Sequence, residues 1–257
     1  MARFECKVIS YVLKRTVAMT VVIPTATIPE SMGFEGTKAS HVISGKYPVL
    51  YLLHGFGNNN GDWCSYSNVE MFAEERNIAV VMISGENKFY RNVPGGDEFF
   101  RFLDEEVPEF ITNMFPVSDK PEHTYIAGLS MGGYGALLHG LGKPEKYAAV
   151  GAFSGAVKVL ENTGEEDGSY DCEYLLRQAK TEKKSLPPIY LSCGTDDMLY
   201  QMNLDFKETL LAHEANVTWL SVPGYGHEWR FWNMQVEEFL KWIPRTDPYA
   251  KMRARKI

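Results

Sequence analysis

Residues 128–132 read Gly-Leu-Ser-Met-Gly, a serine set between two glycines. A serine hydroxyl becomes a useful nucleophile only when a base takes its proton. The chain must also present the oxygen clear of its neighbours. The G-x-S-x-G spacing does this where a strand runs into it and a helix leaves it: the glycines permit a sharp turn and let the helix approach without a Cβ clash. Here an apolar run, Thr124–Leu129, precedes the pentad, and small residues able to begin a helix fill 131–141. The chemistry within reach is attack on an acyl carbonyl, with Ser130 as nucleophile. The plainer alternative is a glycine-rich turn carrying a solvent-facing serine, and the flanking patterns favour the nucleophile.

A base for Ser130 must titrate near neutrality, which points to histidine. The six histidines are His41, His54, His123, His139, His213 and His227. Only His54 and His227 fall in loops that follow apolar strand-like runs. His54 belongs to His54-Gly-Phe-Gly57 and is expected to fix that loop, which leaves His227, in Pro223-Gly-Tyr-Gly-His227, as the base. A carboxylate must hold the second imidazole nitrogen. Asp196 and Asp197 both offer one, and spacing alone does not choose between them. The chain order serine, aspartate, histidine is that of the α/β-hydrolase architecture. The backbone N–H groups of Phe56 and Met131 are the expected donors to a developing oxyanion.

These loops need strands to carry them. Residues 4–13 and 16–23 read as two leading strands. Residues 47–54, 78–83, 124–129, 147–153, 189–193 and 217–222 are short, mostly apolar runs suited to a sheet covered on both faces. Helical patterns fill 68–76, 98–114, 131–141, 203–215 and 228–242, with Asn68 as a cap and Pro108 as a bend or restart. The expectation is an α/β fold with a mostly parallel eight-stranded sheet and helices on both faces. In such sheets active groups gather beyond the carboxyl ends of the strands, where the Ser130, His54, Asp197 and His227 loops all fall. One domain spans 1–257, interrupted by a polar insertion at about 156–186 that is too short to fold alone.

Composition narrows the class. The chain has 257 residues, 45% of them apolar, enough for one substantial core. A net charge of −7 without a concentrated basic groove argues against nucleic acid. The basic run at 251–256 reads as a solvated terminus. The four cysteines have no metal spacing, and nothing in a chain of this size requires a disulfide staple. No metal and no cofactor are expected. No apolar run is long enough for a membrane span and the first residues lack a signal-peptide core, so the expected location is cytoplasmic, with a secreted form whose signal has been removed as the alternative.

Four ordered stretches carry a family likeness: Tyr51-Leu-Leu-His-Gly-Phe-Gly57 with Trp63 downstream, 127–136 around the pentad, Cys193-Gly-Thr-Asp-Asp-Met-Leu199 and Gly224-Tyr-Gly-His-Glu-Trp229. Together they resemble the esterase D-like branch of the α/β-hydrolases, from the first strands to about Trp242. That branch includes tributyrin esterases, S-formylglutathione hydrolases and bacterial acetyl-xylan and feruloyl esterases. The nearest likeness is to gut or rumen bacterial cinnamoyl esterases. The resemblance implies Ser130 as nucleophile, His227 as base and Asp197 rather than Asp196 as the third member. It also implies an oxyanion hole from the N–H groups of Phe56 and Met131.

The implied activity is hydrolysis of hydroxycinnamoyl or short-chain acyl esters through an acyl-enzyme. The alternatives are an S-formylglutathione-type thioesterase, an acyltransferase or a carbohydrate-binding protein without turnover. Trp63, Tyr134, Trp229 and Trp232 are candidate pocket residues. The partner would be a small ester, with an acylated plant-wall oligosaccharide as one form, and oligomeric state stays open. Asn58, Asn59, Asn60 and Asp62 suit either sugar hydroxyls or a turn.

Overall fold

A computed structural model describes residues 1–34, 45–158 and 170–257. Eight strands form one sheet: β1 (Ala2–Ser10), β2 (Arg15–Ile23), β3 (Val49–Leu53), β4 (Ala79–Ile83), β5 (Thr124–Leu129), β6 (Ala149–Phe153), β7 (Ile189–Gly194) and β8 (Val217–Val222). Their order is β1-β2-β4-β3-β5-β6-β7-β8. The β1–β2 and β2–β4 pairs are antiparallel and all the others parallel. This is the α/β-hydrolase fold that the resemblance implies.

The period-2 alternation of a strand explains the two cores. Val49, Tyr51 and Leu53 of β3 face one layer, which also holds Ile126, Val150 and Leu191. Leu50 and Leu52 face the other, together with Tyr125, Ala127 and Phe153. A single-turn helix, α1 (Ile28–Ser31), follows β2, and the first layer is closed by α5 (Val107–Met114), α6 (Met131–Gly142), α7 (Cys172–Thr181) and α8 (Tyr200–Ala212). The second is closed by α2 (Asp62–Tyr66), α3 (Val69–Arg76) and α9 (Trp229–Trp242). Both faces are covered, which is why the central strands contain almost no polar residues.

Strand order reverses at β3, with β4 on one side and β5 on the other. The loops that leave β3 and β5 therefore diverge and open a crevice at their carboxyl ends. His54 and Ser130 stand at its two lips.

Several local expectations change. Residues 98–114 restart at Pro108 as expected, but through an intermediate: the short α4 (Phe99–Arg101) runs into a π-helical segment, Phe102–Glu106, before α5. The ladder resets just ahead of Pro108, which has no N–H to give and sits in the first turn of α5. Asn68 precedes α3 without capping it through its side chain. The basic terminus is not solvated throughout: the Arg255 guanidinium binds Glu30, Asn77 and the Thr25 carbonyl, and its N–H donates to Glu75 O. All four cysteines are free. The polar core of the insertion, 159–169, and the loop segment 35–44 lie outside the described residues.

Candidate active site

The turn from β5 into α6 puts Ser130 at φ 51°, ψ −116°, left-handed backbone for a residue with a Cβ. Such strain persists only where the surroundings hold it. They hold it closely here. A Cβ on Gly132 would sit 2.3 Å from the Leu53 carbonyl oxygen, and one on Gly128 would sit 2.4 Å from Gly132 O. The two glycines are thus required by close approach of α6 to β3 as well as by the turn. The Ser130 N–H donates to Phe153 O at 2.9 Å, and its carbonyl accepts from Tyr134 and Ala156. The serine is pinned from three directions.

His227 comes from the loop between β8 and α9. Its Nε2 lies 3.0 Å from Ser130 Oγ, across 97 positions of chain. Its Nδ1 lies 2.9 Å and 3.1 Å from the two oxygens of Asp197, in the loop after β7. An ionised carboxylate only accepts, so Nδ1 carries the proton and Nε2 presents a lone pair to the serine hydroxyl. Asp197 is buried, and burial pushes its carboxyl up. Hydrogen bonds from His227, the Leu199 N–H and Ser154 outweigh that and leave it below the ordinary carboxylate value. Asp197 therefore stays ionised at neutral pH. Asp196 points elsewhere: it is exposed and accepts from Thr195 Oγ1 at 3.0 Å.

The two expected oxyanion donors stand where the turns leave them. Met131 is the first residue of α6, so its N–H has no partner within the helix. Phe56 lies in the loop after β3, and no hydrogen bond among the described residues uses its N–H. His54 is buried, its Nδ1–H donating to Gly55 O at 2.7 Å and its Nε2 accepting from the Gly85 N–H at 2.8 Å. Burial lowers its pKa, the Gly55 carbonyl opposing this, so the ring stays neutral and serves as a loop fastener. Among the described residues no group of acidic, histidine and cysteine side chains could hold a metal ion, and no helix is long and apolar enough to cross a membrane.

The pocket candidates divide. Trp63 is 0% exposed, with its indole N–H donating to Leu53 O at 3.1 Å. It is a core residue, and the expectation that it lines a pocket is corrected. Trp232 is also buried; it packs edge-on to the His227 ring at 4.9 Å and donates to Ser154 Oγ. It backs the His227 ring rather than facing an open slot. Tyr134 is buried, with its hydroxyl donating to Tyr170 O at 2.6 Å and its ring against Phe89. Trp229 is half-buried and stacks on exposed Tyr66. Phe56 is the exposed aromatic at the crevice, 64% accessible, beside Phe89. Asn59, Asn60 and Asp62 are spent on local bonds and on Thr20, as turn formers.

Known proteins resemble this chain along most of its length. The sequence profile described as "Putative esterase" matches residues 39–243. An acetyl esterase of Caldicellulosiruptor saccharolyticus is 31% identical over 96% of this chain and 99% of its own. The chain belongs to the esterase family. Among solved structures, the fluorophosphonate-binding serine hydrolase FphF of Staphylococcus aureus is similar with a TM-score of 0.83 and 25% identity, covering 94% of this chain and 97% of that one. The S-formylglutathione hydrolase FrmB of the same organism has a TM-score of 0.81 and 26% identity, covering 94% and 98%. This chain is thus an α/β-hydrolase-fold esterase whose Ser130, His227 and Asp197 stand in the arrangement of a serine hydrolase.

Two contributors to the site were missed in the sequence. Ser154, buried at φ 48° just beyond β6, hydrogen-bonds Asp197. Asn87 accepts the Gly57 N–H at 2.7 Å. Neither lies in a motif. The one available sign was their place in loops that follow apolar strands.

Proposed function

We propose that this esterase hydrolyses short-chain acyl esters, acetyl esters foremost, through an acyl-enzyme on Ser130. The observation that carries the reading is the unbroken Asp197–His227–Ser130 hydrogen-bonded chain at the strand carboxyl ends. His227 takes the Ser130 proton as Oγ attacks the ester carbonyl. The oxyanion is met by the N–H groups of Met131 and Phe56. The imidazolium, held by ionised Asp197, then protonates the departing alkoxide. Water deprotonated by the same ring attacks the acyl carbonyl, and the ring returns that proton to Ser130 Oγ as the bond to the acyl group breaks and the acid leaves.

The acetyl preference is supported by the full-length similarity to an acetyl esterase. It is supported also by burial: Trp63 and Trp232 are turned into the core, which removes two of the flat walls a hydroxycinnamoyl slot would use. The second reading, a feruloyl ester, is favoured by the Phe56–Phe89 pair, ring centres 6.1 Å apart, beside the oxyanion loop. The deciding experiment compares kcat/KM for p-nitrophenyl acetate and methyl ferulate. Acetate turnover at least about tenfold ahead of ferulate supports the acetyl reading, and ferulate turnover equal or better overturns it.

A further inference from the structure

The segment that follows β4 has a backbone unlike any other among the described residues. Glu86, Asn87, Phe89 and Tyr90 all take positive φ, at 45°, 57°, 54° and 56°. Each left-handed non-glycine residue costs of order 1 kcal/mol, asparagine least. Four within five positions need a reason in the surroundings. The segment turns twice, with Lys88 N–H donating to Gly85 O and Arg91 N–H to Lys88 O.

Its hydrogen bonds converge on one target. Gly85 N–H donates to His54 Nε2 at 2.8 Å, the Tyr90 hydroxyl donates to His54 O at 2.9 Å, and Asn87 Oδ1 accepts the Gly57 N–H at 2.7 Å. The oxyanion loop is therefore gripped on both sides of Phe56, at His54 and at Gly57. The same segment reaches α6. His139 Nε2–H donates to Tyr90 O at 3.0 Å, and α6 begins at Met131, the other proposed oxyanion donor. One strained turn thus joins the elements that carry both N–H groups.

We propose that Asn87 and Tyr90 are positioning residues that fix the direction of the Phe56 N–H and its spacing from the Met131 N–H. They touch no reacting atom and act through Gly57 and His54. The inference rests on the reading of Ser130 as nucleophile and Phe56 and Met131 as oxyanion donors. Two N–H groups aimed at one point are worth most when they need not reorganise as charge develops. The backbone strain is held in place by these bonds.

The test uses Asn87→Ala and Tyr90→Phe in the whole enzyme. Tyr90→Phe keeps the buried ring, so it isolates the lost bond to His54. Three quantities are read: kcat and KM on p-nitrophenyl acetate, Ki for a methyl trifluoromethyl ketone that forms a tetrahedral adduct, and the fraction of enzyme labelled to completion by a fluorophosphonate. Losing an oxyanion donor costs about a hundredfold or more. Loosening one should lower kcat about tenfold to a hundredfold in Asn87→Ala and less in Tyr90→Phe. Ki should rise by the factor that kcat/KM falls, with KM within about twofold and the labelled fraction unchanged. The proposal is overturned if both variants keep wild-type kcat, if Ki stays put while kcat falls, or if the loss matches a drop in labelled fraction, the mark of misfolding. Labelling of wild type somewhere other than Ser130 would instead overturn the reading beneath it.

Discussion

The Cα of Gly132, on the first turn of α6, faces the carbonyl oxygen of Leu53 so closely that a Cβ there would stand 2.3 Å from it. That carbonyl also accepts the Trp63 indole N–H. The position thus joins the serine turn, the strand that leads to the His54–Gly57 loop, and the core below. Gly132→Ala must push α6 away from β3. We expect a stability loss of about 1–3 kcal/mol, the usual cost of overpacking. We also expect a fall in kcat larger than the unfolded fraction explains. Urea denaturation beside active-site titration checks both.

The two neighbouring aspartates give a cleaner contrast. Asp197→Asn replaces the acceptor that keeps the His227 Nδ1 proton in place, and kcat should fall by about three to four orders of magnitude. Asp196→Asn, which loses only an exposed bond to Thr195, should stay within about twofold of wild type. The Asp197 carboxyl is held below its ordinary value in the folded chain. The unfolded chain therefore binds the proton more readily, and stability from this group is present above the usual aspartate range and lost as pH falls through the folded value. The stability gap between wild type and Asp197→Asn should accordingly narrow below about pH 4.

His139 supplies the second pH effect. Burial lowers its pKa to about 4, against a smaller opposing pull from its bond to Tyr90 O. An unfolded histidine titrates near 6.5. Between that pH and about 4 the unfolded chain carries the extra proton, so stability falls as pH falls, by up to about 1.4 kcal/mol per pH unit. Above that window the contribution is fully present. His139→Gln keeps a donor for Tyr90 O and should flatten this slope, as read from urea midpoints across the window.

The aromatic residues should separate by role. Trp63→Ala empties a fully buried site and should cost about 3–5 kcal/mol. Trp63→Phe should destabilise less and leave KM for p-nitrophenyl acetate unchanged. Phe56→Ala removes an exposed ring and should leave the melting temperature within a degree or so, about 0.5 kcal/mol at most. It should raise KM for an aromatic acyl ester more than for an acetyl ester. Equal effects on both esters would mean that the Phe56 side chain touches neither acyl group.

Much of this site was legible because its chemistry demands particular residue types in particular loops. Ser130 between glycines and His227 behind a glycine turn can be found from strand ends alone. The choice of Asp197 over Asp196 came only from the family resemblance, since two adjacent carboxylates differ in direction and not in type. The fold was legible through the two-sided apolar strands. What the sequence withheld depends on distant partners. Arg255 sits in a basic run that looks solvated, yet Glu30 and Asn77 claim it from far along the chain. Trp63 borders a catalytic loop, but which way an indole turns is decided by the Leu53 carbonyl below it. The π-helical reset at Phe102–Glu106 turns Asp104 and Glu106 inward along with Phe102 and Leu103, and a pattern of apolar residues alone gives no sign of that. Asn87 and Ser154 belong to residue types common in every loop, and only the folded chain brings them to Gly57 and Asp197.

The most direct test of the account is intact-protein and peptide mass measurement on enzyme quenched during turnover of p-nitrophenyl acetate, for wild type and Ser130→Ala. Wild type should show a burst of p-nitrophenol and one acetyl group on the peptide that contains Ser130. Ser130→Ala should show neither, with kcat lowered by about three orders of magnitude or more. An acetyl group on another residue, or a Ser130→Ala enzyme that keeps its rate, would contradict the Asp197–His227–Ser130 mechanism at its first step.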